Sequence, residues 1–380
     1  MMHIRWLNSL QSISAAAWDA LHDGGNPFIS YAFLRGLEQH GCVREEWGWQ
    51  PQHLSLWCNN QLVGAVPGYV KTNSHGEFVF DHAWAQAYAR HGCAYYPKWL
   101  GAVPYSPVTG PRLLAIDQAD RITLLTALME HAQETGLSSA HINFHTAHET
   151  AAIFAAKMAD EWMLRTDIQY HWRNPGKWQC FDDFLKDMDQ KRRKNIRAER
   201  AYIARSDVEF TVLHGNEASE ADLHAMHDFY QRTFFERGNA PSLTLDFWHH
   251  LATHLPQQLV LFMVKRQRKP IAGALCLRGG QTLYGRYWGG EPLKFLHFET
   301  CYYQGIDYCL REGLQVFEPG AGGEHKLARG FLPTFVYSHH WIAEPAFRRA
   351  LQQWCRQEVR AVERYAQAIA PHAHLRSTLS

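Results

Sequence analysis

No stretch of this 380-residue chain approaches the roughly 20 apolar residues a membrane-spanning helix needs, so no integral membrane association is expected. The amino terminus offers only Arg5 and the short apolar run 15–18 ahead of Asp19. That is too little for a signal peptide, and a cytoplasmic protein is expected. Paired cysteines are also missing. The eight are scattered with no CxxC, which fits reduced, mostly buried thiols rather than a disulfide framework or a zinc module. HExxH is absent as well. His141, His145 and His148 form the tightest histidine group, but His141 belongs to a strand while Thr146 and Glu149 form a capping box that opens a helix. Their imidazoles should therefore point in different directions, and no structural or catalytic metal is expected. Finally, the net charge is only +1, so no overall field draws nucleic acid.

What the chain does have is length, ordinary globular composition and many rings. A single core stops growing near roughly 250 to 300 residues, so two domains are expected. Hydrophobic residues at 46% and charged residues at 20% exclude a disordered chain. Aromatics at 13%, with 14 Trp, supply large cores or line clefts that stack ligands.

One pattern occurs twice. Residues 54–69 read as strand, polar turn 59–61 and strand; residues 259–264, 265–269 and 271–277 read the same way, with Gly64 and Gly273 in equivalent places. In each half a further strand, an irregular loop, a helix and another strand follow. The helices carry Ile122, Leu125, Leu128 and Met129 in one half and Cys301, Tyr302, Ile306, Cys309 and Leu310 in the other. They end at Gly136 and Gly313, because glycine adopts the left-handed cap conformation cheaply. The next strands are 140–144 and 315–318. Equivalent glycines lie 72 apart (136 − 64) in the first half and 40 apart (313 − 273) in the second. The first half therefore carries an insertion within 71–103.

This order of elements predicts an α/β chain of two tandem GNAT-like (acyl-CoA N-acyltransferase) domains, each a mixed sheet flanked by helices. The N-terminal domain is placed at 1–175 and the C-terminal domain at 176–380. The latter opens with a basic helix at 181–205 and ends in a long helix at 345–369 that packs across the second half. Asn26-Pro27-Phe28 before an amphipathic helix, Gly76-Glu77-Phe78-Val79-Phe80-Asp81, Tyr95-Tyr96-Pro97-Lys98 and Gly320-Ala321-Gly322-Gly323-Glu324-His325-Lys326 resemble the FemAB-like family of bacterial GNAT-fold proteins. The resemblance spans nearly the whole chain. It implies transfer of an acyl or aminoacyl group to an amine, on a small molecule or on a cell-envelope or peptidoglycan-related precursor. It also implies aminoacyl-tRNA or acyl-CoA as co-substrate rather than a tightly bound cofactor. Two other readings stay open: an acyl-CoA-dependent N-acyltransferase of a small molecule, and a non-catalytic ligand- or RNA-binding protein.

The densest functional signal is the stretch from Glu318 to Arg329. Glu318 ends a predicted strand, where open α/β sheets place ligands, and three glycines follow within four residues. Amide formation needs a base, a group facing the tetrahedral oxyanion and a clamp on the donor. Glu318, Glu324 and His325 are candidate bases, Lys326 the candidate for the reacting carbonyl, and Arg329 the candidate clamp; the resemblance favours a lysine in the stabilising role. Arg286, Tyr287 and Trp288 precede the loop that in GNAT enzymes holds the coenzyme A pyrophosphate, but the Gln/Arg-x-x-Gly-x-Gly/Ala run is missing from residues 289–298, which weakens the case for coenzyme A. His297 and Glu299 open the next helix, Glu299 either as a substrate contact or as a complement to the helix dipole. In the first half, Glu77, Asp81, Lys98 and Arg112 are candidates for binding the acceptor, with Lys98 and Arg112 meeting its anionic groups; the alternative is a purely packing role for the insertion. Six basic side chains in 191–200 offer a surface for tRNA, set against acids at 182, 183, 187 and 189 that a helix dipole alone would favour.

Overall fold

The computed structural model describes residues 1–155, 159–373 and 375. Its strands are β1 (Met2–Leu7), β2 (Trp49–Pro51), β3 (His53–Cys58), β4 (Gln61–Val66), β5 (Gly68–Lys71), β6 (Lys98–Gly101), β7 (Leu114–Ala115), β8 (Ser139–His145), β9 (Met163–Arg173), β10 (Glu209–His214), β11 (Leu259–Arg266), β12 (Lys269–Gly279), β13 (Thr282–Gly290), β14 (Val316–Glu318) and β15 (Leu332–Ile342). The chain divides into two compact units. Met1–Asp167 and Phe335–Glu363 make the first; Ile168–Thr334 and Arg364–Ser380 make the second. The division thus falls within β9 rather than at 175, and a C-terminal piece belongs to the first unit.

Both halves contain the expected hairpin, and both use the same turn. Asn59 and Asn60 (φ 49° and 66°) join β3 to β4, and Gln267 and Arg268 (φ 49° and 64°) join β11 to β12. Two consecutive residues with positive φ give the twist a tight antiparallel hairpin requires. The second turn is shorter than its polar run suggests, with strand pairing extending to Arg266 and Lys269. In the first unit, β1, β3, β4 and β7 form one sheet, and β6 and β8 pair in parallel with Gly101 opposite Ile142. In the second unit, β10 to β13 run antiparallel and β13 pairs in parallel with β14, ending at Tyr284 opposite Glu318. The expected helices form at Gln118–Glu134 and, after a π-turn at Glu299–Tyr303, at Gln304–Arg311. Gly136 (φ 69°) and Gly313 (φ 70°) follow them in the left-handed conformation.

Each unit closes over its own core. Leu54, Trp99, Leu125, Leu128, Ile142 and Trp341 are fully buried together in the first, and Trp172, Phe184, Phe262, Ile306, Phe317 and Phe331 in the second. The long terminal helix spans Pro345–Ile369 as expected, but it does not simply cover the second half. Phe347 stacks on Tyr88 at 4.1 Å and Glu358 pairs with Arg165, so its residues up to Glu363 belong with the first unit.

The predicted basic helix at 181–205 is two helices, Phe181–Asp187 and Gln190–Ala204. Buried Met188 is extended, and the Asp189 side chain accepts a hydrogen bond from Arg192 N at 2.8 Å. An aspartate that caps the backbone starts a helix instead of continuing one. Asp189→Ala should lower stability by about 1 kcal/mol, read as a shift in the urea midpoint with an unchanged slope.

Candidate functional site

In the second unit β13 and β14 pair only from Thr282 opposite Val316 to Tyr284 opposite Glu318. Gly285 allows Pro319 so near that a β-carbon there would lie 3.2 Å from the proline Cα. One residue later β13 bulges: Leu275 faces Tyr287 and Cys276 faces Gly285, leaving Arg286 as the extra residue. A bulge re-aims a side chain at the cost of one ladder position, and bulges gather beside active sites. After Glu318 the chain passes through Gly320, Gly322 and Gly323, at φ of 92°, 71° and 92°, then a short 3-10 helix, Glu324–Arg329. No other residue type enters that conformation cheaply three times in four positions, so the glycines are needed by the path of the chain.

That path turns Lys326 inward. Its Nζ donates to Gly320 O at 2.6 Å, and the side chain is buried. Burial, helped by the nearby Arg286 charge, lowers the ammonium to about 8. His171, from β9, is held down to about 3 by burial, Arg173 and Lys326, and is therefore neutral where its Nδ1 faces Glu318 Oε1 at 3.8 Å. His297 is likewise lowered, to about 4, by burial and by the charges of His325, Arg329 and Lys326. Its ring lies 5.3 Å from both Trp288 and Tyr302.

The other residues of the stretch are tied to protein groups. The Glu324 carboxylate accepts a hydrogen bond from Tyr365 OH, and His325 Nε2 shares one with Tyr302 OH at 2.8 Å. Arg329, expected to clamp the donor, meets protein groups here. Its Nη2 bonds both carboxylate oxygens of Glu199 at 3.0 and 3.1 Å, its Nη1 bonds His325 O, and the guanidinium lies 3.5 Å over the Phe298 ring. Glu199 and Tyr302 were not legible as partners, although Glu199 is the single acid in the basic run and that isolation was a signal. Glu299 is buried and bonded to Arg200 Nε at 3.2 Å and Gln304 Nε2 at 2.8 Å, so it anchors the helix start internally.

The first unit has the corresponding parallel pair, β6 with β8. Beyond the pair Gly101 and Ile142, Arg112 donates from Nε to Asn143 O at 3.0 Å and from Nη2 to Val108 O at 2.6 Å, with no exposed surface. Glu149 receives the Arg112 and Leu113 backbone N-H groups and also caps its own helix through Thr146. Lys98 is buried against Glu77 Oε2 at 2.7 Å and against Asp81. Lys98, Glu77, Asp81 and Arg112, expected to meet an acceptor, are paired within the protein, as a buried charge must be. His141 and His145 do diverge, His141 meeting His340 and His145 meeting His339. Among the described residues, no group of three or more His, Cys, Asp or Glu is arranged to hold a metal ion, and no helix is long and apolar enough to cross a membrane.

A duplicated α/β fold with a parallel strand pair in each half defines a protein of tandem GNAT-like class. The chain belongs to the FemAB-like family, described as peptidoglycan biosynthesis/recognition, whose model matches residues 9–377. Among solved structures it is similar to FemX, with 11% identity, 90% of this chain and 98% of that one covered, and a TM-score of 0.53. It is also similar to L-PGS from Bacillus licheniformis, with 8% identity, 87% and 97% covered, and a TM-score of 0.50. No curated protein matched the chain.

Proposed function

We propose that the protein transfers an acyl or aminoacyl group to an amine of a cell-envelope precursor, using the residues at the end of β13 and β14. The observation that carries this reading is the buried Lys326 ammonium, held on Gly320 O beside the bulged Arg286. The acceptor amine attacks the donor's acyl carbonyl, and Lys326 donates to the oxyanion that develops. Glu318 takes the amine proton, the amide forms as the donor's oxygen or sulfur leaves, and that leaving atom is protonated in turn. The family's description and the likeness to FemX support an envelope acceptor and an aminoacyl donor.

For tRNA, the basic surface is smaller than its sequence promised. Arg197 reaches Asp182 at 3.2 Å and Arg200 reaches Asp307 at 2.7 Å, while Lys191 and Lys194 are exposed. A non-catalytic binding role is favoured by one set of observations, the engagement of Glu324, His325 and Arg329 by protein partners. Thermal melts of the chain with coenzyme A, an acyl-CoA and a charged tRNA separate the donors, since a ligand at about 100 times its Kd stabilises by about 2.7 kcal/mol. We expect the charged tRNA to raise the midpoint and to do so less in added salt. A shift with acyl-CoA alone would reassign the donor, and product formation with none of them would leave only the binding role.

A further inference from the structure

A second reactive constellation lies in the first unit. Ser338 lies in β15 and lines a cavity of about 140 Å³ together with Phe78, Phe80, Phe144, Arg165 and Val362. Its Oγ is 2.8 Å from His340 Nε2, two residues along the same face of the strand. His340 Nδ1 is 2.6 Å from His141 Nδ1, on the paired strand β8. His141 Nε2 is 2.8 Å from Ser139 Oγ and 3.4 Å from Tyr95 OH, and Tyr95 OH donates to Asp81 Oδ2 at 2.6 Å. Two opposite tautomer assignments satisfy these contacts, and the serine is the donor in one of them. In that one Ser338 O-H donates to His340 Nε2, His340 Nδ1-H to His141 Nδ1, and His141 Nε2-H onward to the hydroxyls, with Asp81 and Lys98 closing the far end.

The geometry points to Ser338 as the nucleophile of a serine esterase site, with His340 as its base and His141 as the residue that orients the base. A nucleophile in hydrogen-bond contact with a base that a third group holds in one tautomer is the arrangement that activates a hydroxyl. The cavity wall supplies the remaining part. Arg165 is fixed between Trp84 and Trp354, each 5.1 Å away, and bonded to both oxygens of Glu358 and to Phe80 O. Those bonds use three of its five N-H groups, which leaves two to meet an oxyanion in the cavity. The backbone is distorted at the same place. β15 bulges between Tyr337 and Ser338, and Phe144 has a φ of 56°. Strain in a bulky residue persists only where surrounding structure imposes it, and it gathers at functional sites.

The substrate class follows from the walls and from the base. Phe78, Phe80, Phe144 and Val362 suit a short acyl chain. Burial, together with the charge of Arg165, holds His340 well below its ordinary value, so the imidazole is a weak base and the leaving group must be good, as in an aryl ester or a thioester. Ser338 Oγ attacks the ester carbonyl and its proton passes to His340. The alcohol or thiol departs with that proton, and water, deprotonated by the same imidazole, releases the acid and restores the serine.

The test uses the full chain without any amine acceptor, a fluorophosphonate probe and p-nitrophenyl acetate and butyrate. Labelling should be stoichiometric and map to the peptide holding Ser338. Ester cleavage should fall roughly 100-fold or more in Ser338→Ala, with an unchanged melting midpoint. Should that variant fold poorly, Ser338→Cys keeps the volume and should trade fluorophosphonate labelling for rapid alkylation by iodoacetamide. An unlabelled wild-type chain, a label elsewhere, undiminished cleavage by folded Ser338→Ala, or an inert thiol in Ser338→Cys each overturns the assignment.

Discussion

Lys326→Ala should lower amide formation about 100- to 1000-fold, the cost of losing one preorganised donor to an oxyanion, while moving the unfolding free energy by no more than about 1 kcal/mol. The asymmetry follows from the side chain's surroundings. Its one hydrogen bond, to Gly320 O, offsets the burial of an ammonium that would otherwise be in water. Lys326→Arg should not restore the rate, because a planar fork does not fit the position of a compact charge. The wild-type profile carries its own signature. An ammonium lowered to about 8 is half lost at that pH, so the rate should fall above about pH 8. The folded chain releases this proton before the unfolded chain does, so stability should rise from about pH 8 toward 10.5. Full activity of Lys326→Ala, measured as product by mass spectrometry, would remove Lys326 from the reaction.

The first unit should unfold on mild acidification. His141, His145, His339 and His340 are buried on β8 and β15, and burial holds all four below the ordinary imidazole value. Lys98 and Arg165 add to the effect at His141, and Arg165 and His141 at His340. Arg112 adds to it at His145, where Glu149 opposes it; His145 in turn lowers His339, and Asp81 opposes the shift at His340. The native state keeps these rings neutral, whereas the unfolded chain binds protons below about pH 6.5. Their contribution is therefore complete above pH 6.5 and is lost as the pH falls. Each ring that stays neutral to pH 5 loses about 2 kcal/mol by then, a large share of a domain stability of roughly 5 to 15 kcal/mol. Melting midpoints should drop steeply from pH 7 to pH 5, and the double variant His145→Gln, His339→Gln should roughly halve that slope. A flat profile would show that the rings titrate normally.

The repeat was legible because each half has its own local signals. Polar turns at 59–61 and 265–269 and cap glycines at 136 and 313 act within a few residues of where they stand. The irregular turn after Glu318 was legible for the same reason, since three glycines within four positions, all left-handed, show in composition alone. Partnerships between distant residues left weaker traces. Arg329 with Glu199 spans 130 positions and His141 with His340 spans 199, and a charge or an imidazole carries no mark in the sequence of which partner burial will give it. Lys98 and Arg112 show the consequence, for a conspicuous cation in an aromatic loop reads as a binding group until the carboxylates or carbonyls that enclose it are seen.

The sequence by itself determined the duplication, the strand and helix order, the family and the place of the glycine stretch, because hydrophobic periodicity and backbone preferences are local properties. Only the tertiary structure decided which partners the charged groups take. In the first unit Arg112 bonds backbone carbonyls and Glu149 accepts backbone N-H groups, whereas in the second Lys326 meets Gly320 O in the turn after Glu318. That outcome depends on desolvation and pairing among residues far apart in the chain, which exist only once the strands have brought them together.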